Sequence, residues 1–158
     1  MTVTIPSSRT RALDALAHEL QSMPPVAALR PRIGEADGDR LHLHAPLAAN
    51  VNDKGCAFGG SLTSLMTLAG WGLISLRLAE EGLDADVFVA DSEVRYRAPL
   101  YADLHAVARL AEGETWDAFL DALRAKGRAR LGVVADVSLP EGGVATESRS
   151  RYAAILKR

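Results

Sequence analysis

Gly55-Cys56-Ala57-Phe58-Gly59-Gly60-Ser61-Leu62-Thr63-Ser64-Leu65-Met66-Thr67-Leu68-Ala69-Gly70-Trp71-Gly72-Leu73-Ile74-Ser75-Leu76 carries no charged residue, although Lys54 precedes it and Arg77 follows it. A stretch this long and apolar either crosses a bilayer, which takes ~20 residues, or lies at the centre of a folded domain. Its composition favours the second. Five hydroxyl residues (Ser61, Thr63, Ser64, Thr67 and Ser75) are scattered along it with Gly59, Gly60, Gly70 and Gly72. Its flanks, with Glu80 and Glu81 close behind Arg77, lack the basic bias that orients membrane spans. The segment is expected to form a buried central helix over 58–82, with Gly82 as the glycine that ends it.

Just upstream, Asn50, Asn52 and Asp53 form a loop of small polar residues running into Gly59-Gly60. Such a loop, opening a helix, presents outward-pointing backbone N–H groups able to hold a carboxylate, a phosphate or a developing oxyanion. Elsewhere the composition excludes more than it suggests. At 158 residues the chain is expected to be one domain, 1–158, with an ordinary globular balance of 48% hydrophobic and 24% charged residues. A net charge of −2 leaves no electrostatic footprint for nucleic acid or an anionic membrane surface. The lone cysteine, Cys56, excludes an internal disulfide and fits a reducing cytoplasm. From Met1 to Arg11 the chain is polar and then basic, without the apolar core of a secretory signal.

Periodicity organises the rest. Leu13, Leu16, Ala17 and Leu20 lie at helical spacing, so residues 1–25 are expected to hold an N-terminal helix, capped by Ser8 and stopped by Pro24-Pro25. Two strands, Val26–Glu35 and Arg40–Leu47, are expected around the turn signal Asp37-Gly38. After Asp84 the pattern switches to period two. Asp86–Ala98 reads as a strand with Asp91, Glu93, Arg95 and Arg97 on one face and Ala90, Ser92, Val94 and Tyr96 on the other. Leu104–Ala111 follows as a strand, then a short helix Trp116–Lys126 between Thr115 and Gly127. Arg128–Leu139 and Val144–Leu156 form a last hairpin. The fold class is α+β, an antiparallel sheet wrapped around a long central helix.

That order, with Asn52-x-x-Gly55-x-x-Phe58-Gly59-Gly60 opening the helix, resembles the hotdog fold of acyl-thioester enzymes. Pro46-Leu47, Asn50-x-Asn52, Phe58-Gly59-Gly60-Ser61-Leu62, Leu68-Ala69-Gly70-Trp71-Gly72 and Ser92-x-x-x-Tyr96-x-x-Pro99 together resemble one branch of it. The branch is the hotdog "putative thioesterase" family, found alone or behind an acetyltransferase domain, with members assigned as malonyl-acyl-carrier-protein decarboxylases. Familiar hotdog thioesterases of this layout start the helix with His-Gly-Gly and carry an Asp or Glu two to three turns later. Here those positions hold Phe58 and Thr67, so the helix supplies no base to activate water.

Decarboxylation of a malonyl thioester demands less, because polarising the carbonyl and orienting the departing carboxylate need only neutral donors. The resemblance implies Asn52 and Thr67 as the catalytic pair, with the Gly59 and Gly60 amides as the oxyanion-holding groups. Phe58, Ser61 and Asp53 are the candidate substrate contacts around them. Arg95 and Arg97 are further candidates, for the phosphate of a phosphopantetheine arm or for an acidic carrier protein. Each has a plainer reading: Asn52 as a turn residue, Thr67 as a hydroxyl bonded back along its helix, Ser61 as a helix-start residue, and the arginines as a solvated strand face.

His42 and His44 share one strand face without a third ligand at metal-binding spacing, and Cys56 has no base at readable spacing unless His44 reaches it. The expected substrate is malonyl-acyl carrier protein or malonyl-CoA, converted to the acetyl thioester at the start of fatty-acid synthesis. No metal or redox cofactor is implied, the substrate itself carrying phosphopantetheine or CoA. The resemblance implies a homodimer at least, with Trp71-Gly72 and the following strand as interface candidates. A thioesterase using Asp53 or a water held by Asn52, and a non-catalytic acyl-thioester binding module, are the rival functions.

Overall fold

The computed structural model describes residues 4–158; the first three residues of the N-terminal stretch, Met1 to Val3, lie outside the described residues. In chain order the elements are α1 (Ser8–Ser22), α2 (Pro24–Ala27), β1 (Arg32–Ala36), β2 (Arg40–Ala45), a single 3-10 turn (Leu47–Ala49), α3 (Gly59–Glu80), β3 (Ala85–Tyr96), β4 (Leu104–Leu110), α4 (Trp116–Lys126), β5 (Arg128–Ser138) and β6 (Val144–Leu156). The six strands of the described residues join one antiparallel sheet in the order β1-β2-β4-β5-β6-β3. The sheet wraps around α3, which is the hotdog arrangement.

α3 is the core. Leu62, Leu65, Met66, Ala69, Leu73 and Ile74 are buried on it. They meet Leu41 and Leu43 of β2, Leu104 and Ala106 of β4, Leu131 and Val133 of β5, and Tyr152 and Ala154 of β6 in one apolar cluster. Period-two alternation puts these strand residues on the helix-facing side and leaves the charged ones on the other. The helix is apolar and long enough to cross a membrane by length and composition, with mean hydropathy 1.3, yet 56% of that window is buried inside the fold.

The helix ends are set by local chemistry. Gly82 sits at φ +67° after α3, its N–H donating to the Ala79 carbonyl while Leu83 N–H donates to that of Leu78. That pair of bonds is the Schellman closure, and it needs the left-handed glycine. Thr115 caps α4 by accepting from Ala118 N–H at 3.2 Å, and Gly127 closes it at φ +74°. Thr115→Ala is expected to lower stability by ~1 kcal/mol in urea unfolding, with no change in activity.

Two expectations near the N-terminus are corrected. Ser7, not Ser8, caps α1, accepting from Thr10 N–H at 3.1 Å. No strand starts at Val26, because Pro24 and Pro25 occupy the first two positions of α2, where a missing N–H costs nothing. The first strand therefore begins only at Arg32, and the second ends at Ala45, before Pro46. The Asp37-Gly38 turn does join them, held by the Asp37 carboxylate, which accepts from Asp39 and Arg40 N–H at 2.9 and 2.8 Å. Those two amide donors hold the Asp37 carboxyl below its ordinary range.

A histidine cluster lies on the sheet face turned away from α3. His42 Nδ1 and His105 Nε2 are 2.8 Å apart, and His44 stacks on His105 with ring centroids at 4.2 Å. His105 is the third histidine, brought in from β4 as the cross-strand partner of His44. Burial first, then repulsion from neighbouring cationic groups (chiefly His105 for His44, and His42 for His105), hold both imidazoles below their ordinary 6.5, while Asp136 and Glu35 partly oppose this at His105. Above that pH both folded and unfolded chains keep these rings neutral. As pH falls through it, the unfolded chain takes protons first, so stability is lost until the folded rings protonate. The urea midpoint is expected to drop on acidification from pH 7 to 5, with a shallower drop in His105→Gln.

Candidate active site

The segment from Pro46 to Phe58 is tied down by its own polar groups. Asn50 is buried, and its Nδ2 donates to the carbonyls of Leu29 at 2.9 Å and Pro46 at 2.8 Å. Its backbone carbonyl accepts from Phe58 N–H at 2.7 Å, and Ala57 N–H donates to the Leu100 carbonyl at 2.8 Å. The strand-like pairing of Val51 with Ala57 closes the loop at the mouth of α3.

Asn52 sits inside this loop, half-buried. Its Oδ1 accepts from Lys54 N–H at 2.8 Å and Cys56 N–H at 3.2 Å, and its Nδ2 donates to Cys56 Sγ at 3.2 Å. The carbonyl end of the amide is thus engaged in the turn. An amide nitrogen carries two hydrogens, and the second N–H of Asn52 has no protein partner among the described residues. Cys56 is buried against Asn52, while His44 belongs to the cluster on the far sheet face; the structure does not bring the two together.

Phe58 is the residue before α3 and supplies no side-chain cap. The Gly59, Gly60 and Ser61 N–H groups form the first turn, where no intrahelical acceptor exists, and the ladder begins with Leu62 N–H to the Phe58 carbonyl at 3.1 Å. Gly60 is exposed and Ser61 buried. A side chain at Gly60 would place its Cβ 3.0 Å from the Phe58 ring Cζ, so glycine lets that ring fold over the helix start.

Thr67 lies two turns further along α3. Its backbone carbonyl accepts from the Tyr152 hydroxyl at 2.8 Å, whereas its own hydroxyl has no protein partner among the described residues. Ser75 behaves differently, donating back to the Trp71 carbonyl at 2.8 Å. Gly59, Thr63 and Thr67 are each four residues apart and form one stripe of the helix. Tyr96, at the end of β3, covers its start. Its hydroxyl is 2.6 Å from Thr63 Oγ1 and donates to the Gly59 carbonyl at 3.2 Å. A one-residue bulge between Val89 and Asp91 shifts the alternation of β3 and turns Val94 and Tyr96 toward α3.

The acidic and basic candidates fall elsewhere. Asp53 is exposed and paired with Lys54 at 2.8 Å. That hydrogen bond and charge hold its carboxyl below the usual range, which makes it a weaker base. Arg95 lies on the outer face of β3, 3.5 Å from Glu93, and Arg97, just past the strand, pairs with Glu147 at 2.6 Å. Glu93, Arg95, Arg109, Asp136, Glu147 and Arg149 line a cavity of about 590 Å³ on that outer face. With Glu112 the lining holds four acids against three arginines, so it is no basic cradle for a phosphate, and it lies across the sheet from the Gly59–Thr67 stripe.

The pattern of a family described as "Putative thioesterase (yiiD_Cterm)" matches residues 13–155. A protein of unknown function from Chlorobaculum tepidum is similar in structure, with TM-score 0.83 and 28% identity over 94% of each chain. A structure described as a putative thioesterase from Shewanella oneidensis superposes with TM-score 0.82 at 23% identity, over 92% of this chain and 98% of that one. A Pseudomonas aeruginosa protein described as a probable thioesterase gives TM-score 0.77 at 21% identity, over 91% and 95%. The last two show the shared fold.

Proposed function

The chain belongs to this "putative thioesterase" family of acyl-thioester hotdog enzymes, and from that premise we propose that it decarboxylates a malonyl thioester to the acetyl thioester. The observation that carries the reading is a site with donors and no base. The helix offers orphan amides at Gly59 to Ser61 and a free hydroxyl at Thr67, and has no acidic or histidine side chain before Glu80. Asp53, the acid nearest the helix start in sequence, is paired with Lys54 on the exposed loop, which lowers its basicity.

In this reading the thioester lies along the Gly59–Thr67 stripe. The free Asn52 N–H and the Thr67 hydroxyl hold the malonyl group with its carboxylate perpendicular to the carbonyl plane. The C–C bond then breaks into the carbonyl π system, carbon dioxide leaves, and the enolate oxygen is met by the helix-start amides and the positive end of the α3 dipole. The carrier is CoA or an acyl carrier protein, and the site of action is the cytoplasm, where malonyl thioesters would feed fatty-acid initiation.

We also propose a homodimer. β3 is a 12-residue edge strand with Phe88 and Val89 exposed, and an open edge of that length is a template for pairing. Beside it a stripe of α3 runs through exposed Gly60, Ser64 and Ala79 and half-buried Leu68 and Trp71, which a second copy would shield.

The reading is tested by incubating the protein with malonyl-CoA and with malonyl-acyl carrier protein. Acetyl thioester without free thiol is expected. Thiol release in its place would make the protein a hydrolase, and binding without turnover would make it a carrier of acyl thioesters.

A further inference from the structure

Decarboxylation leaves an enolate whose carbon must still take a proton, and neither Asn52 nor Thr67 is placed to provide one while each holds the malonyl group. The Tyr96 hydroxyl occupies the right ground. It lies over the stripe that the thioester would follow, 2.6 Å from Thr63 Oγ1 and 3.2 Å from the Gly59 carbonyl. Thr63 is one helical turn, about 6 Å of rise, from both Gly59 and Thr67. A Cβ at Gly59 would come within 3.3 Å of the Tyr96 ring, so glycine there lets the phenol lie against the helix. Tyr96 is 59% exposed as a residue, so the phenol is tethered to the helix without being enclosed by the protein.

Resting on the decarboxylation reading, we propose that Tyr96 is the proton donor that quenches the enolate, with Thr63 positioning it. Loss of carbon dioxide breaks the bond between Cα and the carboxyl carbon and leaves its electron pair in the enolate. Tyr96 O–H turns from the Gly59 carbonyl to Cα and transfers its proton, completing the acetyl group. The Thr63 hydroxyl donates to the phenolate left behind, and water returns the proton to it. Without the donor the enolate lives longer and can recapture carbon dioxide.

That consequence gives a readout that a merely structural role would not move. The full-length protein is given malonyl-CoA in buffer equilibrated with ¹³C-labelled carbon dioxide, and both acetyl-CoA and label in the remaining malonyl-CoA are followed. Tyr96→Phe is expected to slow acetyl-CoA formation at least tenfold and to raise the ratio of label incorporated to product at least tenfold. Thr63→Val is expected to move both in the same direction by less, and Tyr101→Phe, an exposed tyrosine off the stripe, to move neither. Tyr96→Phe with an unchanged ratio, whether or not its rate falls, overturns the proposal. Wild-type protein that makes no acetyl-CoA overturns the decarboxylation reading itself, and that result is visible before any variant is made.

Discussion

Asn52→Asp is expected to slow acetyl-thioester formation by ~10²–10³-fold, the usual cost of losing one oxyanion-type donor, while leaving the melting temperature close to that of the wild type. The substitution separates two roles that coexist at this residue. An aspartate oxygen can still accept from Lys54 N–H and Cys56 N–H, so the turn keeps both backbone bonds and loses only the Nδ2 contact to Cys56 Sγ. What disappears is the amide donor, replaced by a negative charge facing the substrate's own carboxylate. Asn52→Ala would remove turn and donor together, so its loss of activity alone would not separate them. Wild-type turnover in Asn52→Asp, measured beside an unchanged melt, would leave Asn52 as a turn residue only.

The largest expected effect on stability is at Gly70. This glycine faces the buried Tyr152 ring, and an added Cβ would stand 2.8 Å from its Cζ and 3.0 Å from its Cε2. The ring cannot swing aside easily, because it is 2% exposed and its hydroxyl donates to the Thr67 carbonyl at 2.8 Å. Burial raises the Tyr152 phenol far above its ordinary value, so it remains a neutral donor. Gly70→Val is expected to cost ~3 kcal/mol, the upper range for overpacking a core, even though glycine is a poor helix residue. Equilibrium urea unfolding measures it. Gly70→Val in Tyr152→Ala, where the ring is gone, should cost markedly less than in the wild type. Equal costs in the two backgrounds would show that the clash is not with Tyr152.

Much of this architecture was legible because its signals are local. Thr115 and Gly127 mark the ends of α4, and Gly82 marks the end of α3, through bonds that span only a few residues. The alternation of Asp91, Glu93 and Arg95 against Ser92, Val94 and Tyr96 identified which face of β3 is charged. The misreadings were local ambiguities. Pro24-Pro25 stops one helix and starts another, and Ser7 and Ser8 are both capable caps. What the chain could not disclose on its own was long-range: His105 joins His42 and His44 through strand pairing across some sixty residues, and Tyr96 reaches Thr63 through the packing of β3 on α3. Arg95 and Arg97 were legible as a charged face, but their pairing with Glu93 and Glu147 depends on spatial neighbours. Asn52 was legible as a turn residue, which its bonds to Lys54 and Cys56 N–H bear out, and the site role proposed for it is what Asn52→Asp tests.

The decarboxylation proposed for this site breaks a carbon–carbon bond and leaves the thioester bond intact, whereas hydrolysis does the reverse. The direct measurement is a single time course on malonyl-acyl carrier protein and malonyl-CoA that counts carbon dioxide, acetyl thioester and free thiol together. Carbon dioxide and acetyl thioester rising one for one, with thiol flat, is the predicted result. Thiol rising with free malonate, and no carbon dioxide, would contradict it.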